Sequence, residues 1–179
     1  SIDDYYTGVS EDLLLEQPGL RELRTSLLAR PLEFYRRLEE ELDGDPHPEA
    51  QAALARAYSK IAEITADVGS KNKALRSHQQ AIELLERLAV EDPVAHRPQL
   101  ARSYNLVGVL QRVTGDHDAA LASYRKAIEI RELLATSRPD SSRIRDDVAE
   151  SYNNLGNLQR DIGRESEAVL SYQHAIQIR

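Results

Sequence analysis

Cysteine, methionine and tryptophan are absent from this 179-residue sequence, and phenylalanine occurs once. Without cysteine there can be no disulfide, no thiolate metal ligand and no cysteine nucleophile. The same absence suits a reducing compartment, so the expected location is cytoplasmic. Nowhere does the chain approach the roughly 20 apolar residues that cross a bilayer, and its purest runs are pieces such as Leu13-Leu14-Leu15. Nor does a basic-then-apolar signal segment open it. No membrane partner is expected. The sequence starts at Ser1 and holds no methionine, which predicts a piece of something longer.

A basic excess is missing as well. The chain carries 23 Lys+Arg against 30 Asp+Glu, a net charge of -7. Residues 1–47 hold 12 acids and 5 bases, so all of that imbalance lies there, and the remainder has 18 of each. Sequence-blind binding to phosphate backbones needs cations to displace condensed counterions. Nucleic acid is excluded as a partner on that ground.

What is present is repetition. Residues 57–84 (AYSKIAEITADVGSKNKALRSHQQAIEL), 103–130 (SYNLVGVLQRVTGDHDAALASYRKAIEI) and 151–178 (SYNNLGNLQRDIGRESEAVLSYQHAIQI) align without gaps. Tyr58, Tyr104 and Tyr152 correspond, as do Gly69, Gly115 and Gly163, Ala74, Ala120 and Ala168, and Ala81, Ala127 and Ala175. The period is 46 residues and then 48. Within the second copy Tyr104, Val107, Leu110 (or Gln111) and Thr114 share a helical stripe that Gly115 ends. Glycine suits a helix end because a left-handed residue can cap the last carbonyls without side-chain strain. A second stripe runs through Ala120, Tyr124, Ala127, Ile128 and Leu134. Small alanines let paired helices approach, the tyrosines are expected to fill the space between hairpins, and Pro93 and Pro139 stop the second helices. No alternating β-branched run and no Asn-Gly turn marks a strand. The chain is all-α.

This order of aromatic, Leu, Gly, mid-repeat Gly, Ala, aromatic and Ala resembles the tetratricopeptide repeat (TPR). Tyr152, Leu155, Gly156, Gly163, Ala168, Tyr172 and Ala175 carry it in the third copy, and Tyr104, Val107, Gly108, Gly115, Ala120, Tyr124 and Ala127 in the second. The first copy departs, with Ala62 for the first glycine and His78 for the second aromatic. The units exceed the usual length of about 34 residues through a longer second helix and linker, which is similar to kinesin light chain repeats. The resemblance implies a right-handed superhelix of three helical hairpins: residues 48–93, 94–140 and 141–179, the last with a truncated second helix. Residues 1–47 form an acidic helical extension that caps the first.

In that extension Ser10 can cap a short helix, with Glu11 and Asp12 complementing its dipole, and Pro18-Gly19 breaks the chain. The stripe Leu20, Leu23, Leu27, Leu28, Phe34, Tyr35, Leu38 and Leu42 keeps its phase across Pro31, which predicts one kinked helix. Asp45-Pro46-His47-Pro48 is the linker to the first repeat. The block from Leu13 to Leu38 also resembles the segment preceding TPR arms in large bacterial serine/threonine kinases. That resemblance implies a kinase domain upstream of Ser1 and a regulatory or substrate-recruiting role for this arm.

The chain itself carries no catalytic signature. It has no glycine-rich nucleotide loop, no HRD, no DFG and no GxSxG turn. The histidines His47, His78, His96, His117 and His174 show no metal-binding spacing. Runs such as Glu39-Glu40-Glu41 read as solvated helix faces. No cofactor, metal or catalytic residue is expected.

The groove remains. In a TPR the first helix of each pair lines the concave side, and by that analogy the candidate peptide-binding residues follow. They are Arg56, Lys60 and Glu63 in the first copy, then Arg102, Asn105, Leu106, Val109 and Arg112, then Asn153, Asn154, Asn157 and Arg160. Asparagine amides can both donate to and accept from a peptide main chain, arginines pair with carboxylates, and Leu106 and Val109 offer an apolar anchor point. The TPR type that grips a terminal carboxylate is disfavoured, because its positions hold Ser59, Glu63, Leu106, Glu150 and Asn154. The expected function is a non-catalytic protein–protein interaction scaffold holding a peptide segment. A rival is self-association, a homodimer through the uncapped C-terminal helix.

Overall fold

The computed structural model describes residues 21–67 and 70–178. Among these every regular element is a helix: α1 (Arg21–Leu42), α2 (Pro48–Asp67), α3 (Lys71–Glu91), α4 (Pro93–Thr114), α5 (His117–Ser137), α6 (Ser142–Asp161) and α7 (Glu165–Ile178). The expected Ser10-capped helix, the Pro18-Gly19 break, Leu20 and the helix-ending Gly69 lie outside the described residues. Two compact units, Ser1–Gln80 and Ala81–Arg179, divide within α3.

In the first unit α1 lies against α2. It runs through Pro31 as a single helix, as its unbroken stripe predicts. An interior proline costs about 3 kcal/mol, and burial of Pro31 and its neighbour Leu28 works against that cost. Phe34 departs from the expected stripe: it is 61% exposed, in an edge-to-face pair with Tyr35, ring centroids 5.2 Å apart. α2 buries nine of its 20 residues, Ala55, Ala57, Tyr58, Ile61, Ala62 and Ile64 among them.

The second unit holds the helical pairs α4–α5 and α6–α7, with α6 also against α5. Local chemistry sets the helix ends. Asp92 caps α4 by accepting from the Ala95 amide at 3.0 Å, and Asp116 caps α5 through Ala119 at 3.3 Å. Pro93 therefore has a further role: α3 has already ended at Glu91, and Pro93 opens α4, where its missing N–H costs nothing. At the other ends Gly115 and Gly163 adopt φ values of 87° and 77°. Each is followed by an amide reaching back five residues, Asp116 to Gln111 and Arg164 to Gln159.

Packing inside each hairpin turns on a glycine and a ring. A Cβ on Gly108 would stand 2.7 Å from the Tyr124 ring, and one on Gly156 would stand 2.7 Å from Tyr172. Both rings thus pack on the glycine of their own hairpin, and Tyr124 also lies between hairpins, as expected. There it joins aliphatic chains and Tyr152. Leu121, Tyr124 and Ile128 of α5 cluster with Leu155 and Leu158 of α6, and Val109, Tyr152 and Ile162 close the margin.

The first copy carries Ala62 and His78 at the glycine and tyrosine positions, both buried. An imidazole is smaller than a phenol, which is the change that an added methyl at this contact calls for. Gly108→Ala should destabilise the protein by about 1–3 kcal/mol through overpacking. The double variant Gly108→Ala/Tyr124→His should cost less than the sum of its parts in urea unfolding. Strict additivity would remove the steric account.

Candidate functional site

The candidate groove residues fall on two separate sets of helices. Arg56, Lys60 and Glu63 lie on α2 in the first unit, where the Lys60 ammonium binds the Glu63 carboxylate at 3.1 Å. The other nine lie on α4 and α6 of the second unit, adjacent first helices that touch directly.

Side-chain hydrogen bonds join α4 to α6. The Asn154 amide donates to Asn105 Oδ1 at 3.2 Å, and the Arg112 guanidinium binds Asp161 at 2.6 Å. Asn105 is a correction to the expectation of an open amide. It is only 3% exposed, and it also accepts from the Ser151 hydroxyl at 3.5 Å. Its amide serves the helix contact. Asn157 is half-buried and accepts from the Tyr172 hydroxyl at 2.9 Å. Asn153, Leu106 and Val109 are half-buried, and Arg102 and Arg160 are exposed. Arg112 also lies beside Tyr124, whose phenol is pushed up by burial, with the nearby guanidinium acting the other way.

Next to these residues a cleft of about 630 Å³ opens between α4, the end of α5 and the start of α6. Arg102, Asn105 and Leu106 form one wall, and Arg138, Arg143 and Ile144 another. Arg131 sits at its base, 5% exposed. It donates to the Asp147 carbonyl, to Ser151 Oγ at 2.6 Å and to Glu150 at 3.3 Å. A buried arginine is tolerated only when its donors are satisfied in this way. The groove reading of the sequence did not include Arg131; its equivalent in the first copy is Leu85. A cation within an otherwise apolar helical stripe was the available signal.

Repeated polar contacts hold the surrounding helices. The Ser123 hydroxyl donates to Gln111 at 2.7 Å, and Ser171 donates to Gln159 at 2.6 Å, each within one hairpin. Between hairpins the Tyr104 hydroxyl donates to Glu86, and that of Tyr152 to Glu132, both at 2.6 Å. The Tyr152 ring also stacks on His174 at 5.2 Å. Among the described residues no group of three or more His, Asp or Glu side chains is placed to hold a metal ion. No described helix is long and apolar enough to cross a membrane.

Family models of the tetratricopeptide repeat match residues 53–133 and 149–179. Among solved structures the chain is similar to BtubC (BKLC) from P. vanneervenii, at 19% identity and a TM-score of 0.63, over 99% of this chain and 70% of that one. It is also similar to MamA, at 20% identity and a TM-score of 0.53, over 99% of this chain and 85% of that one. At such identities the likeness speaks to fold. Among curated protein sequences none matches the chain.

Burial, then the Glu132 carboxylate, pushes the Tyr152 phenol up to about 12, and burial, then Glu86, likewise raises Tyr104. A phenol held above its unfolded value of about 10 favours the folded state below that pH. The contribution is lost as pH climbs past the folded value. Ultraviolet titration should therefore find Tyr152 ionising near 12 in the folded protein. Glu132→Gln should move that ionisation downward.

Proposed function

Because the chain belongs to the tetratricopeptide-repeat family, a family of protein–protein interaction scaffolds, we propose that the α4–α6 face holds a peptide segment of a partner protein. One observation carries this reading. Adjacent first helices, braced by Asn105–Asn154 and Arg112–Asp161, stand beside a cleft that combines hydrogen-bonding, cationic and apolar side chains. The bracing fixes backbone positions before a ligand arrives, which lowers the ordering cost of binding. The half-buried Asn153 amide can serve a peptide main chain in both directions. Leu106 and Val109 supply an apolar contact, and Arg102 and Arg160 add charge at the margins. Asn105 acts one step removed, holding the helix that carries Leu106.

Self-association is a second reading with its own observation. Val169 and Ile176 on α7 are 53% and 75% exposed, whereas their repeat equivalents Leu121 and Ile128 are 5% and 7% exposed because α6 covers them. A second copy could cover the α7 face. The sequence's third reading, an arm regulating a kinase, is tested by the full-length sequence.

The triple variant Arg102→Ala/Asn153→Ala/Arg160→Ala should bind a partner recovered with the native protein about tenfold more weakly, a loss of about 1.4 kcal/mol. Unchanged affinity with intact helicity removes the groove. Light scattering tests the other reading: concentration-dependent mass that Ile176→Asp abolishes supports a dimer, and a strict monomer ends it.

A further inference from the structure

The cleft is basic in an otherwise acidic chain. Arg138 and Arg143 project from the α5–α6 junction, and no carboxylate among the described residues pairs with either. At the preceding junction, between α3 and α4, the equivalent positions hold Asp92 and Ala95. The charge is thus particular to this junction and is not a property of the repeat. Two carboxylates share the cleft, Asp147 and Glu150. Arg131 engages Glu150 directly and holds the Asp147 carbonyl, which leaves Arg138 and Arg143 facing one remaining acid of the cleft lining, Asp147.

We propose that this cleft selects an acidic peptide segment, its carboxylates received by Arg138 and Arg143. The proposal rests on the peptide-scaffold reading and names the chemistry of its partner. Arginine presents a planar fork of donors that matches carboxylate geometry. Two cationic side chains from different elements, the end of α5 and the start of α6, suit successive carboxylates along an extended chain. Leu106 and Ile144 line the same space and give the partner's apolar atoms a surface. Residues 48–179 carry 18 acids and 18 bases, so attraction of an acidic peptide must come from the local excess in the cleft.

The test uses the full chain and a fluorescein-labelled decaglutamate peptide, followed by anisotropy. The native protein should bind it, binding should weaken as salt rises, and decaglutamine should not bind. Arg138→Ala/Arg143→Ala should weaken binding about tenfold or more. The charge-matched control Arg125→Ala/Lys126→Ala, on exposed positions of α5, should leave affinity within about twofold, as expected for surface charges outside the contact.

Equal loss in the two variants overturns the proposal, because the attraction would then be unspecific. Displacement of the peptide by inorganic phosphate at matched charge concentration also overturns it, in favour of a small-anion site. No binding of decaglutamate by the native protein overturns it outright. If a partner's affinity still falls in the groove triple variant, the scaffold reading stands and only the acidic preference is lost.

Discussion

The close approach of a tyrosine ring to a glycine backbone governs how the second unit is built. Gly108 and Gly156 have no Cβ, and the Tyr124 and Tyr172 rings occupy the place where one would be. That contact sets the separation of the two helices in each hairpin. The small residues flanking it, Ala120 and Ala127 in one hairpin and Ala168 and Ala175 in the other, are buried at 0–2% exposure. A larger side chain at any of these points would part the helices, and with them the face shared by α4 and α6. The geometry of the α4–α6 face is therefore a consequence of what the core omits.

Much of this was legible in the sequence because repetition amplifies weak signals. A single Gly–Tyr pair sixteen residues apart means little, but the same pair in two copies, with Ala and His in a third, marks a steric relation. The helix-ending Gly115 and Gly163 and the helix running through Pro31 followed from the same logic. Phase, once kept over many residues, is a strong constraint. Phe34 shows its limit: periodicity names a face, but only the neighbours decide whether each member of that face is covered.

The site was legible in outline and misread in detail. The candidate positions on α4 and α6 sit on two helices that touch, yet Asn105 turns inward to bind Asn154 and Ser151. Sequence spacing gives the angular position of a side chain on its own helix. It does not tell whether an adjacent helix offers a partner for the amide. Arg131 illustrates the reverse: its long stem places the charge well away from its own Cα, so it reaches α6 and becomes the base of a cleft. The junction arginines Arg138 and Arg143 were invisible to a TPR template because they lie in the stretch by which these units exceed the usual length.

The paired rungs from Tyr104 to Glu86 and from Tyr152 to Glu132 have a direction. In both, the phenol belongs to the later hairpin and the carboxylate to the earlier one. Each rung therefore reads the same way, the later helix donating and the earlier one accepting, so polarity along the chain is written into its glue as well as its covalent order.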